Sequence, residues 1–223
     1  MSNINLFNPF QTISGFNQTQ ELENFIVPDT CIVTMDDIWK LYKNRFPTNI
    51  DVYFVNTLEE KELEKEVSKF INYKMVIGFG GGQALDVAKY FTWKCNLKLF
   101  QFPTSISVDA VFGHRSGIRR DGNVNYIGWA IPECVFLDYE IIQSAPKIYN
   151  YSGIGDVLCF YTGVLDWQYA NKLNKCEEKW SYKSELANKS LGYVEDLLLN
   201  AENIKEMNEE GINTIIRAHQ WGG

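Results

Sequence analysis

The stretch MVIGFGGGQALDVAKY, residues 75–90, decides the fold of this chain. It begins with three apolar, β-prone residues, continues with glycine at four of five positions, and ends in apolar residues at helical spacing. The pattern predicts a strand, a glycine turn over 78–82 and a helix. Backbone N–H groups in such a turn can approach an anion closely, which indicates a phosphate site. A purely structural tight connection is the alternative, and Gln83 replaces the last glycine of the pattern G-x-G-x-x-G.

Composition limits the classes of function. The 223 residues carry a formal net charge of −7 and have no Lys/Arg run, which argues against nucleic acid or an anionic membrane as the main partner and favours a small molecule. No segment has the length of a membrane span and the N-terminus does not resemble a signal peptide, so we expect a cytoplasmic protein. The five scattered cysteines contain no C-x-x-C pair and predict reduced thiols.

Strand and helix patterns alternate on both sides of the glycine stretch. Strands are predicted at 31–34, 52–55, 75–77, 97–102 and 134–137, and helices at 36–42 and 58–71. This alternation predicts an α/β fold with a parallel, Rossmann-like sheet and a ligand site at the carboxyl ends of its strands. Residues 1–30 predict an irregular N-terminal arm anchored by aromatic residues.

Helical patterns alone occupy the rest of the chain, at 151–169, 182–200 and 204–219. We therefore predict three regions: the arm at 1–30, a nucleotide-binding α/β domain at 31–144, and the start of an all-helical domain at 145–223.

Two polar segments follow the fourth predicted strand. The first, FPTSIS at 102–107, offers Thr104, Ser105 and Ser107 to phosphate or ribose oxygens, although an ordinary polar turn explains it equally well. The second begins at Asp109 and continues to Gly122 as a loop rich in Gly, Arg and His. It offers candidate contacts for an anionic substrate, namely His114, Arg115, Arg119 and Arg120.

Asp156 is the other notable acid. It follows a glycine and opens an apolar helical pattern, so the spacing favours a capping role. A carboxylate at a helix start that faces an inter-domain cleft is also a candidate metal ligand. The only histidines are His114 and His219, so a closed site of two histidines and a carboxylate would need both.

Three segments together resemble one family. They are similar to segments of metal-dependent polyol dehydrogenases, and they read GFGGGQALDVAKY, FPTSISVDA, and VFLDYEII followed by APKIYNYSGIGDVLCFYTGVLDW. This family includes glycerol dehydrogenase, glycerol-1-phosphate dehydrogenase and the iron-containing alcohol dehydrogenases, and its fold also houses dehydroquinate synthase. The resemblance covers about residues 31–170 and implies a dehydroquinate synthase-like fold.

The resemblance also implies roles for individual residues. The cofactor would be NAD, with NADP as the alternative, and it would be bound by residues of three segments: Asp36, Gly80, Gly81, Gly82, Asp86, Thr104, Ser105 and Ser107. Asp36 would bind the adenosine ribose and favour NAD, because a carboxylate repels a 2′-phosphate. Asp109 would lie near substrate and nicotinamide as the catalytic acid, and Asp156 would be the first ligand of a divalent metal such as zinc, iron or nickel.

The implied activity is hydride transfer between a small polyol, or polyol phosphate, and nicotinamide, with the metal binding the alkoxide. His114, Arg115 and Arg119 are the candidate substrate contacts, and the family habit predicts a homo-oligomer. The family's metal histidines lie beyond the matched region, so we expect a helical domain that is incomplete and binds metal weakly.

Two alternatives remain. The segment VDAVFGHRSGI at 108–118 also resembles dehydroquinate synthases, which are sugar-phosphate cyclases that use NAD transiently, and Arg115 falls where these have a substrate lysine. Against the cyclase, its metal acid is Glu, whereas position 156 is Asp. A module that binds NAD without turnover is the other alternative.

Overall fold

The computed structural model describes residues 11–223, which fold into two compact units. The first unit contains the chain up to Ser105, Ala110–Ala145 and Gly223, and the second contains Ile106–Asp109 and Pro146–Gly222. Residues 1–10, with Phe7 and Phe10 of the predicted arm, lie outside the described residues. The assignment of residues 31–144 as a nucleotide-binding domain stays a prediction.

The first unit is built on a parallel sheet of six strands in the order β1-β8-β5-β4-β2-β3. Its strands and the additional hairpin strands are β1 (Gln11–Gly15), β2 (Thr30–Thr34), β3 (Asp51–Phe54), β4 (Met75–Gly80), β5 (Lys98–Pro103), β6 (Ser116–Arg120), β7 (Asn123–Ile127) and β8 (Cys134–Asp138). Its helices are α1 (Gln18–Glu23), α2 (Asp36–Tyr42), α3 (Glu60–Glu66), α4 (Gly82–Cys95) and α5 (Tyr139–Ser144). The parallel α/β fold predicted from the alternating pattern is confirmed.

Both faces of the sheet are buried, as a parallel sheet requires. Successive residues of β4 alternate between two apolar clusters: Val76 packs with α4 on one face, and Ile77 and Phe79 pack on the other. On the first face Phe70 and Phe91 stack with ring centroids 3.9 Å apart. On the second face Phe79 lies edge-on to Phe46 at 4.9 Å. Aromatic rings therefore fill both layers that cover the central strand.

The predicted glycine turn is wrong in its extent. β4 continues through Gly80, which pairs with Pro103 of β5, so only Gly81 separates strand from helix. Gly78 lies inside the strand, and a Cβ there would be 2.3 Å from Oε1 of Gln101 and 2.9 Å from Cβ of Ala88 in α4. That glycine serves the close packing of helix on sheet.

The irregular arm predicted before residue 31 is also wrong for its described part. Residues 11–15 form β1, which pairs in parallel with β8, and α1 follows. The buried Asp138 carboxylate holds this segment, because it accepts a hydrogen bond of 2.8 Å from the N–H of Gln18 while also capping α5. The polar sequence QTISG gives little β signal, and the strand depends on its distant partner. Phe16 packs edge-on to Tyr139.

The predicted loop after Asp109 contains a hairpin, β6-β7. Asp121 and Gly122 join its strands with φ angles of 51° and 79°, both in the left-handed region that a tight hairpin turn requires. The Asp-Gly pair is the sequence signal for this hairpin, and the sequence interpretation did not use it.

The second unit is helical outside the segment 106–109. Its helices are α6 (Lys147–Lys172), α7 (Ser184–Leu199), α8 (Ala201–Glu206) and α9 (Glu209–Gly222). The single helix predicted over 204–219 is wrong, because Met207 adopts a left-handed φ of 52° and ends α8. Gly211 lets α9 start against α8, since a Cβ there would be 2.2 Å from the carbonyl oxygen of Asn203. The helices within residues 11–223 include no candidate for a membrane-spanning segment.

The contacts of Gly78 generate a first test. We expect Gly78→Ala to destabilise the fold by about 1–3 kcal/mol, because the new methyl group would overpack the interface of α4 with β4 and β5. Gly81→Ala is the matched control, since its Cβ would meet no atom within 4 Å. Urea unfolding followed by circular dichroism measures both, and equal midpoints for the two variants would contradict this account of Gly78.

Candidate functional site

The carboxyl ends of β2 and β4 form the switch point of the sheet. After β2 the chain moves outward to β3, whereas after β4 it moves in the opposite direction to β5. Loops that diverge in this way leave a crevice between neighbouring strands, and ligands of open α/β sheets bind there. β2 and β4 are in register, with Val33 opposite Gly78, so Asp36 after β2 and Gly81 after β4 lie at the same edge.

The glycines at this edge leave the backbone uncovered. Gly80 has a φ of 150°, and a Cβ on it would be 2.9 Å from Cβ of Ala84. A Cβ on Gly81 would meet no atom within 4 Å. Gly82 is the first residue of α4, whose initial N–H groups have no carbonyl partner within the helix. The arrangement presents N–H donors and the positive end of a helix dipole to an anion.

The predicted hydroxyl residues divide between the two units. The buried Thr104 belongs to the first unit, and its N–H donates to the carbonyl oxygen of Gly80 at 3.0 Å, so it lies beside the glycine turn. Ser105 follows it in the chain. Ser107 belongs to the second unit, where its carbonyl oxygen accepts a hydrogen bond of 3.2 Å from the hydroxyl of Ser152.

The two predicted acids of the first unit differ in environment. Asp36 begins α2, its side chain is 61% exposed, and it pairs with Lys40 one turn later. Asp86 lies in the second turn of α4 and forms an ion pair of 2.8 Å with the buried Lys89. Burial raises the pKa of Asp86, and the Lys89 ammonium and the N–H of Gly117 oppose that rise. Asp36 is therefore accessible to a ligand, while Asp86 is engaged inside the protein.

Of the candidate substrate contacts, His114 and Arg115 lie together. His114 packs on Trp129 with ring centroids 3.9 Å apart, and burial lowers its pKa, assisted by the positive charges of Arg115 and Lys89. The exposed Arg115 follows it and donates to the carbonyl oxygen of Tyr126 at 3.2 Å. Arg119 lies at the other end of β6, where its N–H donates to the carbonyl oxygen of Leu58.

The second unit brings together Asp109, Asp156 and His219. Asp156 is the tenth residue of α6, which begins at Lys147, so the interpretation of Asp156 as the cap of its own helix is wrong. Its carboxylate instead accepts a hydrogen bond of 3.3 Å from the N–H of Asp109. Burial lowers the pKa of His219, whereas its contact with the carbonyl oxygen of Gly153 and the charges of the two aspartates raise it.

The side chains of this cluster are not arranged to bind a metal ion. Within residues 11–223 no group of three or more His, Cys, Asp and Glu side chains is arranged to hold a metal. The Nε2 atom of His219 already lies 3.1 Å from the carbonyl oxygen of Gly153. The described residues therefore do not form a complete metal site, and the role of Asp156 as a metal ligand stays a prediction.

Sequence reasoning missed two residues that organise these regions. Asn150 is fully buried, and its side-chain oxygen accepts a hydrogen bond of 3.0 Å from the N–H of Ile106, which fixes the segment before Asp109. Lys89 is 1% exposed on the apolar face of α4. The placement of a charged residue among buried positions of a helix was the signal available for Lys89, and the position of Asn150 beside Pro146 gave none.

The chain belongs to the iron-containing alcohol dehydrogenase family. A sequence model of this family matches residues 26–146, which is more than half of the chain. Curated relatives are named glycerol-1-phosphate dehydrogenase [NAD(P)+]: the proteins of Pyrococcus horikoshii and Pyrococcus abyssi are each 30% identical over 94% of this chain and 63% of their own length. The chain thus spans less than two thirds of the relatives that it matches.

Solved structures agree on the fold. A probable glycerol dehydrogenase from Sinorhizobium meliloti superposes with a TM-score of 0.75 at 17% identity, covering 94% of this chain and 62% of that one. An iron-containing alcohol dehydrogenase from Corynebacterium glutamicum gives a TM-score of 0.69 at 14% identity, over 96% and 61% of the two chains. The predicted resemblance and fold class are confirmed.

Two glycines of α6 give a matched test of the second unit. A Cβ on Gly153 would be 2.0 Å from the carbonyl oxygen of Ile106 and 2.9 Å from Cε1 of His219, whereas one on Gly155 would meet no atom within 4 Å. We expect Gly153→Ala to lower the free energy of unfolding by about 1–3 kcal/mol. Gly155→Ala should raise it by up to about 1 kcal/mol through helix propensity. Thermal unfolding measures both, and stabilisation by Gly153→Ala would refute the close approach.

Proposed function

We propose that this chain binds NAD(P) and takes part in hydride transfer to or from the hydroxyl-bearing carbon of a small polyol or polyol phosphate. The observation that carries the proposal is the uncovered glycine turn between β4 and α4 at the switch point of the sheet. Membership of the iron-containing alcohol dehydrogenase family and the names of the glycerol-1-phosphate dehydrogenase relatives support it. The same names favour a dehydrogenase over the cyclase alternative.

A dinucleotide fits the residues at this edge. Gly80, Gly81 and Gly82 with the free N–H groups of α4 would bind the pyrophosphate, because no side chain covers that backbone. Asp36 would accept hydrogen bonds from ribose hydroxyls, and Thr104 would line the same turn. When bound, the nicotinamide supplies the hydride acceptor or donor. The protein contributes binding and orientation at this edge.

The substrate contacts follow from charge. His114 and Arg115 adjoin each other at the start of the hairpin, and the guanidinium would pair with the phosphate of a polyol phosphate. Asp109 and Asp156 would act on the reacting hydroxyl, Asp109 as a proton acceptor or hydrogen-bond partner and Asp156 as a metal ligand. The described residues form no complete set of metal ligands. Arg119, Ser105, Ser107 and Asp86 keep their predicted roles as proposals.

A second candidate is binding of NAD without turnover. It is favoured by the incomplete set of metal ligands among the described residues. Net formation of NADH from a polyol phosphate separates the two candidates, since the binding module forms none. A homo-oligomeric state and a cytoplasmic location stay predictions.

Gly81 provides the sharpest test of cofactor binding. Because a Cβ at this position meets no protein atom within 4 Å, Gly81→Val should fold normally yet occupy the space of the pyrophosphate. We expect the dissociation constant for NAD, measured by calorimetric titration, to rise at least about tenfold, a loss of about 1.4 kcal/mol. The dissociation constant of Gly81→Ala for NAD should lie between those of wild type and Gly81→Val. Unchanged affinity in a Gly81→Val protein with a wild-type urea midpoint would reject the site.

Asp36 tests the choice of cofactor. Asp36→Ala should weaken the binding of NAD about tenfold, because hydrogen bonds from ribose hydroxyls to a charged acceptor are lost. It should also strengthen the binding of NADP, because the released Lys40 ammonium would attract a 2′-phosphate. Asp37→Ala is the control, because it removes an equal negative charge from the neighbouring position. The Asp37 carboxylate accepts a hydrogen bond from the N–H of Ile38. Equal effects of the two variants would show that only net charge matters.

A further inference from the structure

Lys89 is a buried cation that the proposed chemistry does not use. Its ammonium group donates to the carbonyl oxygens of Ala110 at 2.9 Å, Gly113 at 3.2 Å and Arg115 at 2.6 Å. It also forms the ion pair of 2.8 Å with the carboxylate of Asp86, one turn earlier on α4. The residue is 1% exposed. Four oxygen atoms therefore surround one positive charge inside the first unit.

Three of these oxygens belong to one turn, which we define as the 110–115 turn. Its carbonyl groups converge on a single point, an arrangement that is repulsive without a cation between them. Ser116, directly after the turn, donates its hydroxyl to the carbonyl oxygen of Asp86 at 2.6 Å and fastens the same segment to α4. The conformation of the turn thus depends on the charge supplied by the helix.

We infer that Lys89 is a positioning residue that sets the 110–115 turn and thereby the presentation of His114 and Arg115 to an anionic ligand. The inference rests on the proposed function for the role of those two side chains. Lys89 lies seven residues after Gly82, about 10 Å along the helix at 1.5 Å per residue. Helix α4 consequently begins at the glycine turn with Gly82 and holds the 110–115 turn through Lys89, two helical turns later.

The geometry also predicts how the loss of Lys89 can be repaired. Three carbonyl oxygens and one carboxylate are the hard ligands that small cations accept. Lys89→Ala would leave room for an ammonium ion, whose N–H groups can donate to the same oxygens as the lost side chain. Lys89→Met would fill the space with an apolar chain and exclude the ion. Lys94→Ala is the matched control, because this lysine lies on the same helix but pairs with Glu64 instead of the turn.

The experiment measures amide hydrogen exchange of the three variants in 0.1 M ammonium chloride and in 0.1 M tetramethylammonium chloride, whose cation has no N–H donor. In Lys89→Ala and Lys89→Met we expect amides of residues 110–116 to exchange at least tenfold faster than in wild type. Ammonium should restore slow exchange only in Lys89→Ala, and Lys94→Ala should leave the turn unchanged. Equal exchange in all folded variants, or uniformly faster exchange throughout the first unit with no ammonium effect, would overturn the inference.

Two further measurements keep the outcome decisive. If Lys89→Ala fails to fold, its refolding in ammonium chloride but not in tetramethylammonium chloride supports the inference. If neither salt refolds it, and Lys89→Met folds with no local change in exchange, the inference is overturned. Titration of wild type and Lys89→Met with NAD and with glycerol phosphate should show NAD affinity within about threefold and glycerol phosphate affinity reduced at least tenfold. If wild type binds neither ligand, the proposed function fails while hydrogen exchange still decides the role of Lys89.

Discussion

The close approach of α4 to the central strand is the constraint on which the first unit depends. Gly78 permits it, because a single methyl group there would enter the space of the Gln101 side chain and of Ala88. With the helix held so near the sheet, Gly81 alone connects them, and the helix begins at the carboxyl edge with its N–H groups open. A residue buried within the strand therefore helps to determine where the N-terminus of α4 lies.

The parts of this arrangement that were predictable from sequence are those with local causes. The apolar run that opens β4, the helical spacing of α4 and the extent of α2 from Asp36 to Tyr42 follow from patterns within a few residues. The N-terminal strand was not predictable, because its cause lies in β8 and in the carboxylate of Asp138. The four oxygens around Lys89 were hidden for the same reason: three come from a turn more than twenty residues later.

The acid cluster of the second unit shows how local reasoning can choose the wrong cause. Asp156 follows a glycine, which suggested a helix start, but α6 begins at Lys147, directly after Pro146. The two glycines that precede Asp156, Gly153 and Gly155, then have different structural roles. Gly155 is open to substitution, whereas Gly153 admits the backbone of Ile106 and the ring of His219. Identical residues two positions apart differ only in what the tertiary structure places against them.

The pairing of β1 with β8 has a consequence for the order of folding. Gln11 lies opposite Cys134, so these partners are separated by more than half of the chain, whereas β2, β4 and β5 pair over much shorter separations. Contacts of high sequence separation form slowly because a long loop must first close. During synthesis β1 is made well before β8, so it has no partner until residue 138 has emerged. We therefore expect this edge of the sheet to close after β2, β4 and β5 have paired, although β1 precedes all three in the chain.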